Sequence, residues 1–250
     1  MNLWIGTSGF QYPEWKGTFY PEDLPVAKML PFYSERFSTT EINYTFRRIP
    51  NAKTIENWRK LTPEKFRFSL KAPQKITHFA KLRDCDDTLT YFYKVISALR
   101  QRLGSVLFQL PPFLKKDVTL LSDFLRCFPD GMQAAFEFRH ASWFDDEVFA
   151  QLSARNAALC IAESEKLSTP IIATADFGYL RLRREDYVAA DITRWTETIR
   201  AHENTWSNAF VYFKHEESGI GPQLADEMLK LYPPFGATVL GRGASLLPNE

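Results

Sequence analysis

Short apolar runs alternate with longer amphipathic stretches along the whole chain, the pattern expected of βα units packed around a parallel sheet. The apolar runs predict strands at Leu3 to Thr7, Thr40 to Asn43, Phe66 to Lys71, Val106 to Leu110, Ala134 to Arg139, Ala158 to Glu163, Tyr179 to Leu182 and Phe210 to Lys214. The stretches between and after them predict helices near Val26 to Phe37, Ala52 to Lys60, Thr88 to Leu103, Val118 to Cys127, Asp145 to Arg155, Thr193 to Glu203 and Gln223 to Leu231. After the sixth strand, SEKLSTPIIATADF carries Pro170 and little helical period, so that crossover is predicted to be degenerate. Eight such strands predict an α/β fold, a single (β/α)8 barrel of the TIM type over residues 1–250. A doubly wound open sheet is the alternative, because a strand count does not establish closure. Either architecture puts ligands beyond the carboxyl ends of the strands.

Polar residues gather where the apolar runs stop. In AAFEFRHASW, Glu137 and Arg139 lie two apart and share one face of a strand, while Phe136 and Phe138 take the other. The same parity groups Glu41 with Asn43, Ser69 with Lys71, and Tyr179 with Arg181; Gln109, His140, Glu163, Lys214 and His215 also stand at strand ends. If the sheet closes, these charges converge. The competing reading makes Glu137 and Arg139 a buried pair that only neutralises itself.

Lys71 is the most versatile of the set. Apolar walls and a second cation would lower its proton affinity and make it a base or Schiff-base nucleophile, whereas Glu41, Glu137 and Glu163 nearby would keep it charged and anion-binding. The three carboxylates favour the charged form. They could also exchange protons, or hold a divalent metal; against the metal, no HxH or HExxH spacing occurs, and no cofactor is implied. The four histidines, His78, His140, His202 and His215, are scattered.

In the loop after the eighth strand, Gly219 and Gly221 precede the last helix, where backbone amides can approach a phosphate. Arg181, Arg183 and Arg184 flank that place. Phe10, Tyr12, Trp15, Phe19 and Tyr20 crowd the loop after the first strand, as a stacking platform or as a packed cover over the mouth. A net charge of +1 supplies no global field that would make nucleic acid or a membrane an obligate partner. Three widely spaced cysteines suggest no disulfide framework, no segment reads as a leader or a membrane span, and a cytoplasmic protein is expected.

Six strings in order, GTSGFQYPEWKGTFYP (6–21), FSTTEINYTFRRIP (37–50), FRFSLKAPQKITH (66–78), VLFQLPP (106–112), FEFRHASWF (136–144) and TADFGYLRL (174–182), resemble the YecE-like family, domain of unknown function number seventy-two. The resemblance implies a (β/α)8 barrel and no established reaction. It marks Ser8, Tyr12, Trp15, Glu41, Asn43, Thr45, Lys71, Thr77, His78, Gln109, Glu137, Arg139, Trp143, Asp176 and Arg181 as characteristic. Where many members have His-Gly and an Asn-rich segment, this chain has Arg183, Arg184 and KHEESGIGP, a more cationic mouth.

These readings predict an enzyme of hydrolase, lyase or isomerase type acting on a small anionic substrate, phosphorylated or sugar-containing. Glu137 and Glu41 would exchange protons, with His78 and His140 as secondary acids or bases. Lys71, Arg139 and Arg181 would hold negative charge, Asn43 and Gln109 would orient hydroxyls, Tyr12, Trp15 and Trp143 would line the substrate, and Arg183, Gly219 and Gly221 would take a phosphate. Two alternatives stand: a nucleic-acid-binding or phosphodiester-processing barrel, motivated by the aromatic loop with Arg183 and Arg184, and a metabolite sensor without catalysis. No oligomeric partner is indicated.

Overall fold

The computed structural model describes residues 1–163, 167–214 and 219–232. Eight parallel strands close into a barrel in chain order: β1 (Asn2–Ser8), β2 (Thr39–Ile42), β3 (Arg67–Lys71), β4 (Leu103–Gln109), β5 (Ala134–Glu137), β6 (Ala158–Glu163), β7 (Phe177–Leu182) and β8 (Asn208–Phe213). β1 pairs with both β2 and β8, so the alternative of an open sheet falls away. The crossovers carry α1 (Val26–Ser34), α2 (Ala52–Lys60), α3 (Asp86–Ile96), α4 (Val118–Arg126), α5 (Asp146–Ala154) and α6 (Ala189–Ala201), and α7 (Ile220–Leu231) follows β8. Among the described residues the connection from β6 to β7 has no helix, as Pro170 and the missing period implied.

Local chemistry sets several boundaries. The Asn51 side chain accepts the Thr54 amide, and Asp117 accepts that of Leu120, so α2 and α4 start on side-chain caps. The helix expected to run from Thr88 to Leu103 instead stops at Ile96 and passes through a short turn, Ser97–Arg102. Arg100 there adopts φ 56°, which reverses the chain into β4. α6 begins earlier than its periodicity suggested, because Asp191 accepts the Val188 amide at 3.1 Å and caps it.

Most of the aromatic load is core. Phe108, Phe124, Phe128 and Phe136 interlock between strands and helices. A second buried layer fills the barrel interior: Leu107, Ala135, Ala158, Cys160, Phe177, Tyr179, Phe210 and Tyr212. Every other residue of each strand points inward, so this parity decides what the mouth receives. Gly6 is required by close approach, since a Cβ there would meet the Thr39 carbonyl oxygen at 2.0 Å. Cys85, Cys127 and Cys160 are all free thiols. No helix among the described residues is long and apolar enough to cross a membrane.

Candidate functional site

The inward parity continues past the last ladder bonds and brings one side chain after another to the carboxyl end of the barrel. β1 contributes Ser8, β2 Glu41 and then Asn43, β3 Lys71, β4 Gln109, β5 Glu137 and then Arg139, and β7 Arg181 and then Arg183. Adjacent strands hold them in register: Ser8 is level with Glu41, and Gln109 with Glu137.

Arg181 is the centre of the arrangement. It is only 2 % exposed, and its guanidinium reaches Glu137 through Nη1 and Glu41 Oε1 through Nη2 at 2.8 Å. Glu41 is otherwise filled, accepting Ser8 Oγ at 2.6 Å on Oε1 and Tyr179 Oη at 2.6 Å on Oε2. Asn43 donates to Ser8 Oγ at 2.7 Å and extends the network to the rim. The other oxygen of Glu137 faces Arg139, in an ion pair that lacks hydrogen-bond alignment, and Arg183 at 3.8 Å. Two completely buried carboxylates are thereby compensated by three arginines. The expected pairing of Glu137 with Arg139 is present, but Arg181 is the partner that ties both carboxylates together.

The electrostatics follow from this geometry. Burial alone would raise the Glu137 carboxyl, but Arg181, Arg139 and Arg183 outweigh it and hold the group below its usual range. Glu137 is therefore an anion at neutral pH and cannot donate a proton. Burial would lower the Arg181 guanidinium, and Glu137 and Glu41 push it well above its ordinary value. These three residues form an ionic unit in which both Glu41 oxygens already accept hydrogen bonds, while Glu137 Oε1 accepts none among the described residues.

Lys71 differs. Burial, followed by the positive charge of Arg181, lowers its amine to about 8, and the attraction of Glu41 and Glu137 does not recover the difference. Its Nζ sits 4.2 Å from the centre of the Phe46 ring and makes no hydrogen bond or ion pair among the described residues. The amine therefore stays mostly protonated at pH 7, but the three carboxylates expected to hold it so do not pair with it, for two reasons. Glu41 and Glu137 are spent on Arg181, and Glu163 points elsewhere, bonded to Trp195 Nε1 at 2.8 Å and Arg194 at 2.9 Å. His78 packs edge-on against the other part of the same wall, 4.9 Å from Phe46, and bonds Thr77 Oγ1 at 2.9 Å. Burial and the Lys71 charge lower its pKa, so it is neutral at pH 7. It lies in a single π-helical turn, Lys75–Phe79, of the kind that often marks a functional position.

Several candidates stand apart from the mouth. Trp143 is completely buried, stacks on Phe138 at 4.7 Å and gives its indole N–H to the Leu114 carbonyl at 2.7 Å; it belongs to the outer core because Phe138 faces the helices. Trp15 is 1 % exposed among Tyr12, Phe19 and Tyr20, so the first loop is a packed cover and its central aromatic is no stacking platform. Tyr12 bonds the Ser8 carbonyl at 2.8 Å at the rim. His140 caps the short turn Ala141–Trp143 by accepting the Ser142 amide on Nδ1 at 3.1 Å. Asp176, from the family pattern, bonds Asn156 at 2.8 Å just before β7, at the end opposite the mouth, where barrels carry stabilising contacts. Arg184 turns outward to Asp186 and Asp191.

Gly219, at φ 71°, precedes α7, and Gly221 is buried in its first turn; His215 and the rest of 215–218, on which the phosphate-loop expectation partly rests, lie outside the described residues. Among the described residues no group of three or more His, Cys, Asp or Glu could hold a metal ion.

Sequence reasoning passed over two features. Phe46, the platform of Lys71, drew no reading; its position three residues beyond Asn43, in the turn after β2, was the available signal. Beneath the ionic unit, Tyr212 Oη lies 2.8 Å from both Ser69 Oγ and Thr39 Oγ1, a buried hydroxyl chain whose members share the inward parity of Glu41 and Lys71.

Comparison with known proteins agrees with this architecture. The chain is 32% identical over 143 residues to UPF0759 protein YecE of Escherichia coli, covering 57% of this chain and 50% of that protein. It is 29% identical over 157 residues to UPF0759 protein YunF of Bacillus subtilis, covering 60% and 55%. The matched regions thus span about half the length of these curated relatives. The crystal structure of a DUF72 family protein from Thermotoga maritima superimposes with a TM-score of 0.84 at 25% identity, over 92% of this chain and 99% of that one. A DUF72 family protein from Enterococcus faecalis gives 0.74 at 17% identity, over 92% and 97%. The family model for the protein of unknown function DUF72 matches residues 4–241, and the chain belongs to that family.

Proposed function

We propose that this barrel is an enzyme that binds a small anionic substrate at the carboxyl ends of its strands, with Lys71 and His78 moving protons at the reacting group. The observation that carries the reading is the surplus of positive charge. Among the described residues, Arg139, Arg181, Arg183 and Lys71 face two buried carboxylates, Glu41 and Glu137, and the buried Nε groups of Arg139 and Arg183 have no acceptor there. A buried cationic donor without an acceptor is costly, so an incoming anion regains what the protein forgoes. The ionic unit supplies fixed charge that needs no rearrangement when substrate arrives. Gln109, whose carboxamide has no partner among the described residues, would orient a substrate hydroxyl.

Titration calorimetry with inorganic phosphate tests the anion site. One site per chain is expected, with affinity reduced about ten-fold in Arg183→Gln, the equivalent of roughly 1.4 kcal/mol. Absence of phosphate binding to the wild-type protein at low salt refutes it. Conversion of any member of a panel of phosphorylated and carboxylated metabolites, abolished by Lys71→Met, tests the catalytic part.

A further inference from the structure

We propose that Lys71 is a nucleophile that condenses with the carbonyl carbon of an anionic substrate, a keto or aldehydo compound bearing a carboxylate or phosphate, to form an imine. The proposal rests on the anion-binding reading above and adds the covalent step.

The argument starts from what surrounds the amine. A lysine meant only to hold an anion works best when fully charged, and a contacting carboxylate is the simplest way to keep it so. The fold does the reverse. Two carboxylates lie close enough to influence Lys71, yet Arg181 takes both, and Ser8 and Tyr179 occupy the remaining positions on Glu41. What Lys71 touches instead is the face of Phe46. Arg181 both removes the counter-ions and adds a like charge. The result is an amine that gives up its proton near neutral pH while sharing the barrel mouth with Arg181, Arg139 and Arg183, which can hold an anionic carbonyl compound.

The step balances within these groups. The neutral Nζ lone pair attacks the carbonyl carbon, the C=O π electrons move to oxygen, and a carbinolamine forms. Its hydroxyl departs with a proton from nitrogen as water, leaving the C=N bond. No oxidant or reductant is needed. The positive charge gained when this imine is protonated makes it an electron sink for bond changes at the adjacent carbon, the chemistry that lyases and isomerases require.

The test uses the wild-type chain with pyridoxal 5′-phosphate as an anionic carbonyl probe, followed by borohydride, which reduces an imine to a stable amine, and peptide mass mapping. At pH 7 about one Lys71 side chain in eleven is neutral, against about one in three thousand for an ordinary lysine. Allowing for the lower nucleophilicity of a less basic amine, Lys71 should label at least about ten-fold faster than an exposed lysine such as Lys60. Inorganic phosphate should protect it, pyridoxal without the phosphate should react more slowly, and Lys71→Arg, which keeps the charge, should lose the adduct. Label spread over surface lysines with Lys71 unmodified overturns the proposal, and phosphate binding measured alongside then shows that the anion site survives without the covalent role. A Lys71 adduct that phosphate does not protect upholds the nucleophile and removes the anion reading.

Discussion

Replacing Lys71 by methionine should make the protein more stable at neutral pH, by an amount that disappears in alkali. The folded amine titrates near 8, against an ordinary 10.5. At roughly 1.4 kcal/mol for each tenfold change in proton affinity, keeping it protonated costs the fold about 3 kcal/mol below pH 8. Lys71 retains some contact with water, so this is an upper bound. The sign follows from proton counts: between pH 8 and 10.5 the unfolded chain binds the proton and the folded chain does not, so wild-type stability rises with pH across that window relative to the variant. Methionine has similar length, carries no charge and can lie on Phe46. Urea unfolding of both proteins at pH 7, 8, 9 and 10 gives the difference directly, with titrations elsewhere cancelling. The expected advantage of Lys71→Met is about 1 to 3 kcal/mol at pH 7, shrinking steadily above pH 8. A difference that stays flat from pH 7 to 10, or a variant less stable at pH 7, would refute the picture of an amine held against its own charge.

Other outcomes follow from the same geometry. Arg181→Met leaves Glu41 and Glu137 buried without their shared cation and should cost about 3 to 5 kcal/mol in urea unfolding, part of which Arg181→Met with Glu137→Gln should recover. The lowered Glu137 carboxyl contributes stability above the ordinary carboxylate pKa, and this is lost as pH falls through the folded value; Glu137→Gln should flatten that part of an acid-unfolding curve measured by circular dichroism. Trp143→Phe removes the bond to the Leu114 carbonyl and should cost about 1 kcal/mol while leaving phosphate affinity unchanged, which calorimetry checks. Phe136→Ala, at the centre of the stacked outer core, should cost about 3 to 5 kcal/mol by chemical denaturation.

The barrel was legible because strand parity is a local property: two-residue spacing sent Glu41, Lys71, Glu137 and Arg181 to one interior, and β5 shows the rule holding even where the ladder ends at Glu137 and the chain runs on to Arg139. Partnerships across the barrel were not legible. Nothing near Glu41 in the chain announces Arg181, 140 residues away, and without that link Lys71 reads as a lysine among carboxylates. Glu163 and Trp143 misled for another reason. Each sits near a strand end, yet Glu163 finds Trp195 on α6 and Trp143 finds Phe138, contacts fixed by helix packing, which a strand pattern does not encode.

Phe46 belongs to two places at once. It underlies Lys71 in the mouth and also forms a wall of an outer groove of about 260 Å³, with Ile49, Pro73, Lys75 and Phe79. A molecule that enters the groove by shifting this ring also changes the surroundings of the amine. By thermodynamic reciprocity the affinity of such a molecule would then depend on whether that amine is protonated.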